Sequence, residues 1–416
     1  MKIYMEHVTE FDNKTEKLQM ESLLKVLFFI SLLFPYIVLF PPLQRIIGSD
    51  TQPWGLVWAF ILVFVSVIIT KKRIPDVVIA LWAVLLSCVI TLTGHFLLTG
   101  GNLSSYLRSV SKYLTFIFVP YAAYLTLDYS YKDETVHKIF KVSILIWFLI
   151  SILQAASGRP IIQMILPRAS FHYGRNFAIG LAPEPAFMSK TMFFYLILLE
   201  FFCKKSKQHY SNCSNWRVIL LFLIFLPLSL TGFFLGLFYI LYKFILNKRF
   251  LISIIILILV IMAFIMGVEK DVIKIGGRVG YFIDFIYTNS GLNGIWQFLL
   301  NDVSFGYRLH LFTLGLESIL NGNYFGNGVP DYPIGGLFSP LYETGMLGMA
   351  FVIMMLYILI VAVIKAKKDM KMLSILILLS FLMMTFSESL ATPYVSFIFG
   401  MQLYIFHSKK KEEKSE

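Results

Sequence analysis

The chain has 416 residues, of which 58% are hydrophobic, 16% aromatic and only 14% charged, and its formal net charge is +12. A soluble domain carries roughly a quarter charged residues, so the composition excludes an ordinary water-soluble enzyme. Apolar runs long enough to cross hydrocarbon recur from end to end, which sets the basic excess in the context of membrane topology and not of nucleic acid.

The runs fall near 23–40, 54–70, 75–98, 109–127, 139–157, 177–202, 216–231, 232–246, 250–267, 337–364, 372–389 and 393–406. They predict an all-α polytopic membrane protein of about twelve helices, organised as a single integral membrane domain over 1–416. The polar N-terminus leads into the first run without a small-residue cleavage site, so no removable signal peptide is expected. Arg108 opens the fourth run, with Lys112 one turn further in, and Lys190 lies inside the sixth. Charges at such depth are costly and usually face a cavity. We take Arg108 as a substrate-binding candidate and Lys190 as a weaker one.

The sixth run begins "LAPEPAF", with Glu184 between Pro183 and Pro185. Proline suits the first helical position and pushes the residue before it out of helical geometry. A carboxylate is thereby expected at a helix N-terminus, where the dipole favours its ionised form. Its candidate tasks on the residues alone are to satisfy the helix dipole or to orient an arginine such as Arg175.

Cys203 and Cys213 flank a lysine-rich loop and Cys88 sits in an apolar run. Their spacing is not that of a zinc site, and all three are expected to be inert thiols, the loop facing a reducing compartment. The stretch 216–246 is long for one span and short for two. Pro227 and the "SLTG" at 229–232 predict a break within it.

Lysine tests that division. With both termini cytoplasmic, the inner face receives the N-terminal lysines, "KKR" at 71–73, the lysines of 132–141, "KKSKQ" at 204–208, Lys243, "NKR" at 247–249, "KAKKDMK" at 365–371 and the "KKKEEK" tail. This is a positive-inside pattern. Arginine does not follow it. Of ten arginines, Arg73, Arg217 and Arg249 fall inside, whereas Arg45, Arg108, Arg159, Arg168, Arg175, Arg278 and Arg308 fall outside or at the outer boundary. Retention of loops needs charge of either kind and does not predict such a split. Guanidinium is the group for bidentate recognition of phosphate and carboxylate, so the split predicts an outward site for an anionic, phosphate-bearing substrate, the alternative for any single arginine being contact with lipid headgroups.

Residues 268–336 form the one long external loop, and loops of that length are usually functional. Its apolar and aromatic first half is expected to lie along the membrane interface. "SFGYRLHLFTLGLESIL" has Leu309, Phe312, Leu316, Ile319 and Leu320 at helical spacing, with Ser304 as candidate cap and Arg308 near the first turn, where an anion would be favoured. The Asn/Gly/Pro-rich stretch after it reads as turn. Tyr281, Tyr307 and Tyr324 stand out in this stretch as candidates for ligand stacking or for an interfacial tyrosine belt.

This layout resembles the Wzy-type O-antigen and capsular polysaccharide polymerases, relatives of the O-antigen ligases. The resemblance rests on "EPA" at 184–186, on Ser304, Arg308, Phe312 and Gly315 in order, on "FGNG" at 325–328, and on "ETGMLG" at 343–348. It covers the chain in layout and short motifs only in sequence. Ligase relatives commonly carry a histidine shortly before the last motif. Here that neighbourhood reads "DYPIGG" at 331–336, which favours a polymerase, although His172 and His310 lie on the outer side.

The resemblance implies a GT-C-like glycosyltransferase of the bacterial plasma membrane that joins undecaprenyl-pyrophosphate-linked repeat units on the outer face. Donor and acceptor are both lipid-linked glycans, a chain-length regulator protein is a candidate partner, and no nucleic acid takes part. It assigns Arg308 and Glu184 as catalytic, with Glu184 accepting the acceptor hydroxyl's proton or binding sugar hydroxyls, and Arg108, Arg175, Arg278, Arg168, Tyr307 and His310 as substrate-binding, and it makes Tyr281, Tyr307 and Tyr324 candidates for stacking on sugars. No metal and no cofactor is expected, because guanidinium groups supply the positive charge at the leaving pyrophosphate. The alternatives are a ligase-type transferase of the same superfamily and a lipid-linked oligosaccharide flippase, for which twelve spans would also serve. Transporters tend to show internal repeats, and none is found between the halves.

Overall fold

The computed structural model describes residues 19–37, 53–130, 133–157, 179–206, 213–227, 229–246, 303–329, 336–337, 339–387 and 389–412. Within them the regular structure is all helical: α1 (19–33), α2 (Trp54–Phe64, continued by a π-turn over Val65–Ile69), α3 (Asp76–Thr99), α4 (Leu103–Ser130), α5 (Glu134–Ser157), α6 (Pro185–Lys205), α7 (Cys213–Phe225), α8 (Leu230–Leu246), α9 (Val303–Leu320), α10 (Ser339–Thr344), α11 (Met346–Lys365), α12 (Lys368–Ser387) and α13 (Pro393–Glu412). Five of them, α3, α4, α5, α6 and α11, are long and apolar enough to cross a membrane. The expectation of an all-α membrane protein is met at this level. The expected ninth span, 250–267, and the loop from 268 to 302 lie outside the described residues.

The chain forms two compact units, one of 1–143 with 312–416 and one of 144–311. In the first, α4 is the central element and packs against α2, α3 and α13. Lipid tails are as apolar as the side chains, so close packing and internal polar bonds, not hydrophobic expulsion, hold such helices together. Gly400 of α13 lies against the Pro120 carbonyl and the Ala123 side chain of α4, where an added Cβ would come within 2.6 Å of that carbonyl oxygen. The Trp82 indole donates to the Ile117 carbonyl at 2.6 Å in the turns around Pro120. Gln402 of α13 donates to Ser374 Oγ at 2.7 Å and to the Leu359 carbonyl at 3.1 Å, tying α12 and α11 to it.

In the second unit α6 is buried on every side from Met188 to Phe202, the mark of a helix enclosed by others. It packs against α7 and α8. The predicted break in 216–246 is present: α7 ends at Phe225 and α8 starts at Leu230. Ser189 of α6 donates to the Ile224 carbonyl at 3.0 Å and pairs with Ser229 Oγ at 2.8 Å, while Ser229 Oγ accepts from the Gly232 amide at 2.9 Å. Side chains thus serve backbone groups around the break. At the other end of α6, the buried Glu200 carboxylate accepts from Arg217 Nε and Lys243 Nζ, each at 2.7 Å, and from the Tyr239 hydroxyl.

Two expectations need correction. Cys203 and Cys213 are not free thiols but a disulfide. The last turn of α6 and the first of α7 bring their Cα atoms to 6.4 Å, within ordinary bridging range, and spacing in sequence does not reveal this approach. The apolar run 337–364 is not one helix. It is broken at Gly345, whose φ of +58° is the left-handed region, and becomes the short α10 followed by α11.

Candidate functional site

Glu184 sits where the two prolines predict. Pro185 occupies the first turn of α6, and Glu184 is the residue before it, extended at φ −146° and ψ 156°. Pro183, Ala182 and Leu181 are buried on the approach, whereas Glu184 itself is exposed. Its carbonyl accepts from the Met188 amide at 3.1 Å, closing the first helical turn. Its side chain makes no capping hydrogen bond. The carboxylate therefore does not cap the helix through a hydrogen bond, although it lies where the helix dipole favours its charge. Among the described residues the carboxylate, at the helix N-terminus, has no ion-pair partner. Arg175, its candidate partner, lies outside the described residues.

In the first unit, Arg108 is half-buried on the second turn of α4. One turn further, Lys112 is buried and engaged: Nζ donates to both carboxylate oxygens of Glu343 at 2.6 Å and to Ser339 Oγ at 2.9 Å. Glu343 also accepts from the Tyr113 hydroxyl at 2.9 Å and from Ser109 Oγ at 3.3 Å. This carboxylate is saturated by donors and is not a proton acceptor in wait. A buried ion pair holds together only when its remaining lone pairs and protons are satisfied, and here they are.

The glycine motifs have a local cause in the same place. The Asn327 and Gly328 amides donate to the Tyr342 and Glu343 carbonyls at 2.8 and 3.1 Å, and the Met346 amide donates to the Tyr324 carbonyl at 2.9 Å. Backbone meets backbone here, so Gly326 packs on the Thr344 and Gly345 amides, Gly345 on the Tyr324 carbonyl, and Gly348 on the Pro340 carbonyl. The "FGNG" and "ETGMLG" glycines form one docked turn, locked from beneath by Lys112 and Glu343. Neither the Lys112–Glu343 pairing nor the approach of the His95 ring to Gly328, where a Cβ would come within 3.3 Å of it, is legible in the sequence. An ionisable residue in an apolar run was the available signal for Lys112 and, within the run 337–364, for Glu343, but nothing joined the two.

The remaining candidates divide by what is described. Arg308 and Tyr307 lie on α9, and His310 is exposed on it. Because α9 starts at Val303, Ser304 is inside the helix and Arg308 lies in its second turn. Ser304 therefore does not cap the helix, and Arg308 lies near the first turn as expected. Arg168, Arg175, Arg278, His172 and Tyr281 lie outside the described residues. Tyr324 is exposed, and Lys190 is buried with its ammonium 5.0 Å from the centre of the Phe187 ring. Among the described residues no three His, Cys, Asp or Glu side chains converge as a metal site. No protein-family model, curated protein or solved structure matches the chain.

Proposed function

We propose that the chain is a membrane polysaccharide polymerase of Wzy type, with about twelve spans and both termini in the bacterial cytoplasm. It joins undecaprenyl-pyrophosphate-linked repeat units on the outer face of the plasma membrane. The observation that supports this reading best is the setting of Glu184. An exposed carboxylate that makes no capping hydrogen bond is held between two prolines at the N-terminus of a buried helix. A retention signal or a lipid anchor needs no such group.

In the proposed reaction the terminal hydroxyl oxygen of the acceptor glycan attacks the anomeric carbon of the donor. The new C–O bond forms as the bond from that carbon to the pyrophosphate oxygen breaks. The hydroxyl proton passes to Glu184, and the leaving group departs as undecaprenyl pyrophosphate. Arginines of the outer face, Arg308 first among them, stabilise the charge that develops there, which is worth most when the donors are fixed in advance.

The test is reconstitution in liposomes with the lipid-linked repeat unit purified from the source cells, read as a glycan ladder on a gel. Arg308→Ala is expected to lower the rate about a hundredfold to a thousandfold. Arg308→Lys should also be impaired, since it keeps the charge and loses the fork. A wild-type ladder from Arg308→Ala removes its catalytic role. Lipid-linked glycan carried across the bilayer without elongation would make the chain a flippase instead.

A further inference from the structure

The segment that carries Glu184 is held from behind by a residue with no evident place in the chemistry. Gln154, in the last turns of α5, is 3% exposed. Its Oε1 accepts from the Ile179 amide at 3.0 Å and from the Gly180 amide at 2.6 Å, and its Nε2 donates to the Gly180 carbonyl at 3.1 Å. One carboxamide therefore satisfies three backbone groups of the turn that precedes Glu184. In an apolar surrounding each would otherwise be an unpaired polar group, which is costly.

The turn is shaped to that grip. Gly180 has φ +56°, and a Cβ there would come within 2.9 Å of both Ser151 Oγ and the Trp147 ring. Ser151 donates to the Trp147 carbonyl at 2.6 Å, so the wall that Gly180 touches is itself fixed. The Ala182 amide donates to the Ile179 carbonyl at 3.0 Å, closing the turn. From Gly180 only three residues remain before Glu184, and one of them is Pro183. On the far side α6 is fixed by Ser189, which bonds the Ile224 carbonyl and Ser229. The backbone on both sides of the carboxylate is tied down, while the carboxylate itself is exposed.

We propose that Gln154 is a positioning residue: through the 179–183 turn it fixes where the Glu184 carboxylate is presented, and its three backbone bonds are the means. The proposal rests on the reading of Glu184 as part of the reaction site. Apart from that reading, the clamp itself is measurable without any activity. A polar amide in an apolar helix would be needless for packing alone, since a methionine of similar volume fills the space without a polar group to satisfy.

Two measurements test it. The first places a cysteine at 184 in a chain with Cys88, Cys203 and Cys213 replaced by serine, and follows its labelling by a membrane-impermeant maleimide on intact cells. Gln154→Met is expected to change the labelling rate at position 184 severalfold, while the heat resistance of the solubilised protein still shows a folded chain. An unchanged rate overturns the clamp. The second compares turnover on the purified lipid-linked repeat unit. A 1 Å misplacement of a reacting group can cost on the order of a hundredfold. Gln154→Met should therefore lower kcat by up to that factor with KM little changed. Gln154→Glu, whose protonated acid offers the same donor and acceptor, should recover part of it.

A loss of folded protein in Gln154→Met large enough to account for its lower turnover would reduce Gln154 to a structural residue and end the proposal. Changed labelling together with full activity of Glu184→Gln would leave the clamp standing and remove Glu184 from the reaction. The two failures are thus told apart.

Discussion

Three carboxylates at helix starts and boundaries have different fates, and the difference lies in their nearest donors. Glu184 has none among the described residues. Glu343 has three side chains within 2.9 Å or at 3.3 Å. Asp133, before α5, is a working cap: its Oδ1 accepts from the Thr135 amide at 2.7 Å and the Val136 amide at 3.4 Å, and the Tyr129 hydroxyl donates to Oδ2. Partial burial raises the Asp133 pKa, but the hydrogen bonds from Tyr129 and the two amides outweigh it and hold the carboxyl below its ordinary value. A group whose folded pKa is depressed contributes stability above its unfolded pKa and loses it as pH falls through the folded one. Acidification into and below the ordinary aspartate range, near 4, should therefore destabilise this end of α5. Asp133→Ala should cost about 1 kcal/mol at neutral pH and abolish that part of the acid sensitivity. The check is the heat-induced unfolding of the solubilised protein against pH, for the parent and the variant.

At the scale of elements, the apolar runs located helices well and their interruptions poorly. The run 75–98 is α3 within a residue or two, and the break at Pro227 was legible because proline removes a donor and clashes one turn back. The break at Gly345 was not, because a glycine within "ETGMLGMAF" reads like any other small residue of a membrane helix. Only the carbonyl of Tyr324, brought from the preceding loop, makes the left-handed backbone there necessary. The same holds for Lys112 and Glu343, which are 231 positions apart: each is visible as a charge in an unlikely place, but their partnership exists only in three dimensions. It carries a sharp expectation. Removing one member of a buried pair leaves an uncompensated charge and costs roughly 3–5 kcal/mol, whereas replacing both with apolar residues is often neutral. Lys112→Met and Glu343→Leu should each lower the amount of folded protein in the membrane, and the double variant should recover much of it. Recovery of stability without recovery of glycan synthesis would give the pair a task beyond docking the 323–328 turn.

For the molecule as a whole, orientation in the membrane is the property on which the proposed chemistry depends, and two features of one loop bear on it from opposite directions. Lys204, Lys205 and Lys207 assign the α6–α7 connection to the cytoplasm by the positive-inside rule. The Cys203–Cys213 pair that closes the same connection is of a kind that persists in oxidising compartments. The lysines here are reinforced by clusters at 71–73, 247–249 and 365–371, all on the same side under one topology, whereas the bridge needs only that two helix ends lie close. The two features agree if the Cys203–Cys213 bond of the structure is reversible, open in the growing cell where the loop faces the cytoplasm and closed when membranes are isolated and oxidised. Treating intact cells with membrane-permeant N-ethylmaleimide before lysis should block both thiols, so that a later polyethylene-glycol maleimide after reduction adds no mass at these positions. Membranes treated first with diamide should instead give a shift of two adducts after reduction. Replacing Cys203 by serine should remove the response and leave the glycan ladder unchanged, since the loop is remote in sequence and in orientation from Glu184 at the other end of α6. If the thiols prove already bonded in intact cells, the loop faces outward, α6 runs the other way, and Glu184 lies at the cytoplasmic surface. A polymerase acting on the outer face could not then use it.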